Sequence, residues 1–146
     1  MKTLTISKKD LDKNNFYTGT DAEDFDGSIV IGENLGYVKF RKGVKAKFSI
    51  ETKTGSGIEA GWGIEAGRGI EAGWGIFCKL NLNISLRIFA GLCLRRIPTE
   101  DEKKITCGKL ESGTVCYGNL VETGLPEEKV EDILIVEGRR YKLIPE

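Results

Sequence analysis

From Val38 to Leu94 the chain alternates. Of the 29 even-numbered positions in that interval 24 are apolar, and the exceptions are Lys42, Thr52, Thr54, Ser56 and Arg68. The odd positions hold charged residues, amides, hydroxyls and glycines, with only Phe77, Phe89 and Cys93 apolar. Alternation with period two marks a strand with one buried face. An ordinary strand lasts about five or six residues, whereas this parity survives for 57. A hairpin usually resets parity; a chain that keeps winding the same way holds its inside and outside through every corner. The pattern therefore predicts an all-β fold, a short β-solenoid, with a sandwich or barrel of long curved strands as the rival.

Within the alternation lies a repeat. Residues 57–76 read Gly-Ile-Glu-Ala-Gly-Trp, Gly-Ile-Glu-Ala-Gly-Arg, Gly-Ile-Glu-Ala-Gly-Trp, Gly-Ile, and only the last hexad position varies, as Trp62, Arg68 and Trp74. Two glycines in six residues disfavour helix by roughly 1 kcal/mol each and suit corners where the backbone bends. Three hexads make a triangular coil of eighteen residues, so the interval supplies about three coils. Isoleucine and alanine of each hexad should point inward, a large residue beside a small one.

The flanks lack this rhythm. Residues 1–37 read as a lead-in segment with acidic Asp21, Glu23, Asp24 and Asp26 and a strand around Ile29-Val30-Ile31. Residues 38–97 are the solenoid. Residues 98–146 read as a β-hairpin region packed on the same domain. One turn is expected at Glu111-Ser112-Gly113, and a final hairpin over 133–144 should turn at Glu137-Gly138. Solenoid ends expose unpaired strand edges, and capping one end is the task expected of this region.

Composition removes several function classes. Basic and acidic residues balance at 22 each, so no overall field recruits nucleic acid or an anionic membrane. There is no histidine, which rules out histidine-activated nucleophiles and the commonest metal ligand. The four cysteines, Cys78, Cys93, Cys107 and Cys116, form no Cys-x-x-Cys knuckle. No metal, cofactor or catalytic set is expected. With no signal-like segment at Met1–Asp10 and no long apolar run, the expectation is a cytoplasmic protein with free thiols.

The hexads, followed by Leu86-Arg87-Ile88-Phe89-Ala90-Gly91-Leu92-Cys93 and by Cys107-Gly108-Lys109-Leu110-Glu111-Ser112-Gly113-Thr114-Val115, resemble a group of uncharacterised small hexapeptide-repeat β-helix proteins from Gram-positive gut bacteria and their phages. The resemblance spans roughly residues 30–120 and implies a genomic setting rather than a chemistry. The hexapeptide period is also similar to that of left-handed β-helix acyltransferases. This chain departs from those in lacking a histidine base and in having only about three coils.

Three functions compete on these grounds. The first is a non-enzymatic protein-interaction module, encoded by a phage or mobile element, that inhibits a host protein such as a CRISPR–Cas defence component. Trp62, Arg68, Trp74, Phe77 and Phe89 are its candidate contacts, because tryptophan and arginine dominate binding hot spots. Parity argues otherwise for Trp62 and Trp74, which it places in the core, and the C-terminal hairpins are expected to cover Phe77 and Phe89. The second is a nucleic-acid or nucleotide binder using Lys39, Arg41, Lys45 and Lys47 on one outward strand face, although these cations also have the acidic segment 21–26 as a partner. The third is a self-assembling homo-oligomer. Glu59, Glu65 and Glu71 should point from three different faces, which makes a solvated surface the better reading than a cation site.

Overall fold

In a computed structural model, residues 2–92 and 97–125 are described and build a parallel β-solenoid of triangular section. Strands β1 (Lys2–Ile6) and β2 (Gly27–Ile31) lead in. The first full coil is β3 (Gly36–Phe40), β4 (Val44–Ala46) and β5 (Ile50–Thr52). The second is β6 (Ser56–Ala60), β7 (Ile64–Ala66) and β8 (Ile70–Ala72). The third is β9 (Ile76–Cys78) and the long β10 (Asn81–Ala90), which bends across two faces. A fourth is β11 (Lys104–Cys107) and β12 (Lys109–Tyr117), and β13 (Asn119–Glu122) starts the next pass.

The first face stacks β3, β6, β9, β11 and β13; the second stacks β4, β7 and the first halves of β10 and β12. The third stacks β1, β2, β5, β8 and the second halves of β10 and β12. Register shows the coil length. Ile58 pairs with Ile76, Ile64 with Leu82 and Ile70 with Ile88, each 18 residues further on, as the three-hexad coil predicts. Val38, Val44 and Ile50 pair with residues 20 further on. The two extra residues sit in the turn at Thr54 and Gly55, where Gly55 has φ +78° and a Cβ would lie 2.5 Å from Asn34 Oδ1.

Inside, each face carries two columns of buried side chains, a large aliphatic beside an alanine within the hexads and beside residues of varied size outside them. Val44, Ile64 and Leu82 run next to Ala46, Ala66 and Ile84 on the second face; Ile29, Ile50, Ile70 and Ile88 run next to Ile31, Thr52, Ala72 and Ala90 on the third. The isoleucines and alanines of the hexads are buried. Each fully buried isoleucine contributes about 1.5–3 kcal/mol by leaving water. The two buried hydroxyl residues among those described are paired: Thr52 Oγ1 donates to Ser56 O and accepts from Gly73 N–H, while Ser56 Oγ donates to Gly32 O and accepts from Leu35 N–H.

The ladder runs past 38–97 in both directions, through β1 and β2 and through β11 to β13. The expected hairpin at Glu111-Ser112-Gly113 is absent, because β12 passes straight through those residues in parallel to β10. Gly113, at φ +119°, lets β12 cut the corner between the second and third faces: Asn83 and Arg87 of β10 pair with Ser112 and Thr114, four residues against two. The hairpin expected at 133–144 lies outside the described residues. At the other end Ala22 is buried beside the partly buried Leu11, Tyr17 and Phe25, so the lead-in segment packs onto the core rather than hanging free.

Candidate functional site

The hexad explains where the variable position goes. Two of its three even positions face inward and the third falls on a corner, where the chain bends and the side chain splays out. Positions 42, 62 and 80 share the first corner, 48, 68 and 86 the second, and 74 and 92 lie on the third. The core placement expected for Trp62 is therefore overturned: it is 53% exposed. Trp74 is half-buried, because its indole lies against Tyr37 with ring centroids 5.4 Å apart. Burial raises the Tyr37 hydroxyl above its ordinary pKa, with an opposing pull from the Gly75 N–H that donates to it. Trp62, Arg68 and Trp74 occupy three different corners of one coil and do not form one patch. Phe77 stands on the first face, 39% exposed, since β11 extends that face edgewise instead of covering it. Phe89 is on the third face, half-buried.

The four basic residues are not on one strand face either, because the chain turns at 41–43. Lys39 is on the first face, Arg41 on the first corner, Lys45 on the second face and Lys47 on the second corner. All four have partners within the chain. Arg41 lies 4.1 Å over the Phe16 ring and 3.4 Å from Asp12, and Lys39 Nζ is 5.6 Å from the same ring. Lys45 pairs with Glu65 at 3.9 Å and Lys47 with Asp26, in the acidic segment, at 3.5 Å. Backbone N–H groups, Phe16 first, hold the Asp12 carboxyl below its usual range.

The outward columns differ in charge. Glu59, Glu65 and Glu71 do sit on three faces. On the first face Lys39 stacks on Glu59 and on the second Lys45 stacks on Glu65, but on the third Glu51 stacks on Glu71. Like charges side by side in a sheet repel, and neither glutamate has an ion-pair partner among the described residues. Next in that column come Phe89 and then Tyr117.

Glu51, Glu71 and Phe89 line a depression of ≈ 720 Å³ on the third face, together with Leu86, Arg87 and Thr114 among others. Leu86 is 58% exposed at its edge. Its N–H donates to Arg68 O at the adjoining corner, where the Arg68 guanidinium is 4.9 Å from the Phe48 ring centroid. Of the five expected contacts, Phe89 lines the depression, Arg68 stands on the adjoining corner, and Trp62, Trp74 and Phe77 are elsewhere. Leu86 and Tyr117 were missed. Leu86 stands in the same hexad phase as Trp62, which would have marked it as a corner residue; Tyr117 gave no such signal.

Cys78, Cys107 and Cys116 are free thiols, and Cys93 lies outside the described residues. Among the described residues no group of three candidate ligand side chains is placed to hold a metal ion, and no helix is long and apolar enough to cross a membrane. Comparison with protein-family models, curated proteins and solved structures returns no match to this chain, so the reading of its function rests on the solenoid and its surface.

Proposed function

We propose that the chain is a non-enzymatic protein-interaction module that acts by occupying the surface of another protein through the third face of its solenoid. The observation that carries this is the depression lined by Leu86, Arg87 and Phe89, with Tyr117 beside Phe89 in register and Arg68 on the adjoining corner. Aromatic and arginine side chains contribute most at binding hot spots. A stacked parallel scaffold presents them with little ordering left to do, which favours affinity. The stacked Glu51 and Glu71 indicate the partner's chemistry: a segment with a lysine or arginine against the two carboxylates and an apolar side chain against Leu86. The resemblance to small proteins of gut bacteria and their phages makes an inhibitor of a host protein, such as a CRISPR–Cas defence component, the specific form of this reading. The cations of the alternative nucleic-acid surface are engaged inside the chain, which leaves that reading without a supporting observation.

The test is a quantitative capture of bacterial protein by the full chain, with and without nuclease, alongside a Leu86→Asp/Phe89→Ala variant and a Trp62→Ala control. The expected result is one protein bound stoichiometrically in both nuclease conditions, lost with the double variant, kept by the control, and reduced in its own activity by the wild-type chain. Capture that vanishes with nuclease, or survives the double variant unchanged, would sink the proposal. So would turnover of a substrate by catalytic amounts of the chain.

A further inference from the structure

The second face carries a trough that the protein-binding reading does not use. Its volume is ≈ 270 Å³, near the lower end of small-molecule sites, which run roughly 300–1,000 Å³. The floor is bare backbone, since Gly43 and Gly63 occupy neighbouring coils there and contribute no side chain. Gly63 is held to glycine by packing, because a Cβ would come within 2.6 Å of Asn81 O. One wall is the exposed indole of Trp62, approached from the neighbouring coil by Lys42 Nζ at 5.7 Å from the ring. The other wall is the Lys45–Glu65 pair, and Asn81 and Asn83 close the end. Asn81 Oδ1 is buried without a hydrogen-bond partner, the single such side-chain atom among the described residues.

We infer that this trough binds a neutral carbohydrate, with one pyranose ring stacked on Trp62 and its hydroxyls directed to Lys45, Glu65 and Asn81. A sugar ring has an apolar C–H face and a rim of hydroxyls that both donate and accept. The trough matches both halves: an indole for the face, and an ammonium donor, a carboxylate acceptor and amides for the rim. Lys45 and Glu65 cancel each other, and Glu23 and Glu111 also line the trough, so an anionic ligand such as a phosphate is disfavoured. Asn81 Oδ1 gains a partner when its amide turns toward a bound hydroxyl, whereas buried polar atoms in proteins are as a rule already paired.

The probes are cellotetraose, maltotetraose and chitotetraose, titrated into the full chain and read by tryptophan emission and calorimetry. At least one should bind saturably with a Kd of ~1 mM or tighter. Trp62→Ala should weaken binding tenfold or more and Asn81→Ala several-fold, and Trp74→Ala should leave it unchanged. Far-UV circular dichroism checks folding, and Trp62→Phe, which keeps a ring, should bind between wild type and Trp62→Ala. Absence of a heat or emission change with all three sugars at ~10 mM overturns the inference, as does binding that Trp62→Ala leaves intact. Both outcomes are independent of whether the third face binds protein.

Discussion

Cys78 and Cys107 show how one position in the hexad tunes the protein's response to pH. Cys78 pairs in register with Ala60, so a thiol stands where the repeat has alanine, and Cys107 is buried on the next coil. Burial pushes the two thiols up to about 12 and about 11, from a usual value of 9.0. Below that usual value the folded and unfolded chains both keep these protons, and pH leaves stability unchanged through them. Above it the unfolded thiols ionise while the buried ones stay protonated, so stability falls as pH rises from ~9 through the folded values. Tyr37, raised mainly by burial, acts in the same direction. Urea midpoints measured between pH 8 and ~11 should therefore decline. A Cys78→Ala/Cys107→Ala variant should decline less steeply, its new alanines fitting a column that already contains Ala60. An unchanged slope in that variant would assign the effect to other groups.

At the scale of the element, most strands between Val44 and Cys78 are three residues long because the chain turns a corner about every six residues, and glycines end β7 and β8 at two of those corners. The requirement at these corners is room as much as flexibility. A Cβ on Gly67 would lie 1.9 Å from Lys47 O, which is backbone and has nowhere to go. Gly67→Ala should therefore push neighbouring coils away from each other at the second corner and cost about 2–4 kcal/mol. Gly43→Ala, whose nearest neighbour would be Gly63 O at 3.2 Å, should cost clearly less. Thermal and urea unfolding of the two variants side by side check the order, and equal losses would mean that close approach does not set the glycine pattern.

At the scale of the molecule, stability in a stacked solenoid is a sum over coils and the interfaces between them. A coil is eighteen residues here, so the number inserted decides the outcome. A second copy of residues 57–74 placed after Trp74 should add one coil, lengthen the molecule by about 4.8 Å, and preserve or raise the melting temperature. A copy of 57–62 alone carries every later strand to the wrong face, setting β10 and β12 against partners of different width, and should lower the melting temperature sharply. Small-angle scattering and thermal melts distinguish these results. Tolerance of the six-residue insertion would contradict the triangular section.

The winding was legible in the residues because strand geometry is local. Side chains alternate at every step, so an unbroken parity from Val38 onward and a glycine-marked period of six together specify a coil of eighteen, and Ile58, Ile64 and Ile70 were readable as core. Parity could not tell an inward position from a corner, since both are even; Trp62 turned outward because the chain bends beneath it. Stacking was equally out of reach, because the step from one coil to the next depends on irregular turns such as Thr54–Gly55 and Asp101–Lys103. Those turns set Glu51 beside Glu71 and Phe89 beside Tyr117, and let β12 run on through Gly113 where a hairpin looked natural. Periodicity along the chain thus established the scaffold, while contacts between residues 18 to 29 apart, made only on folding, created the surfaces proposed to bind.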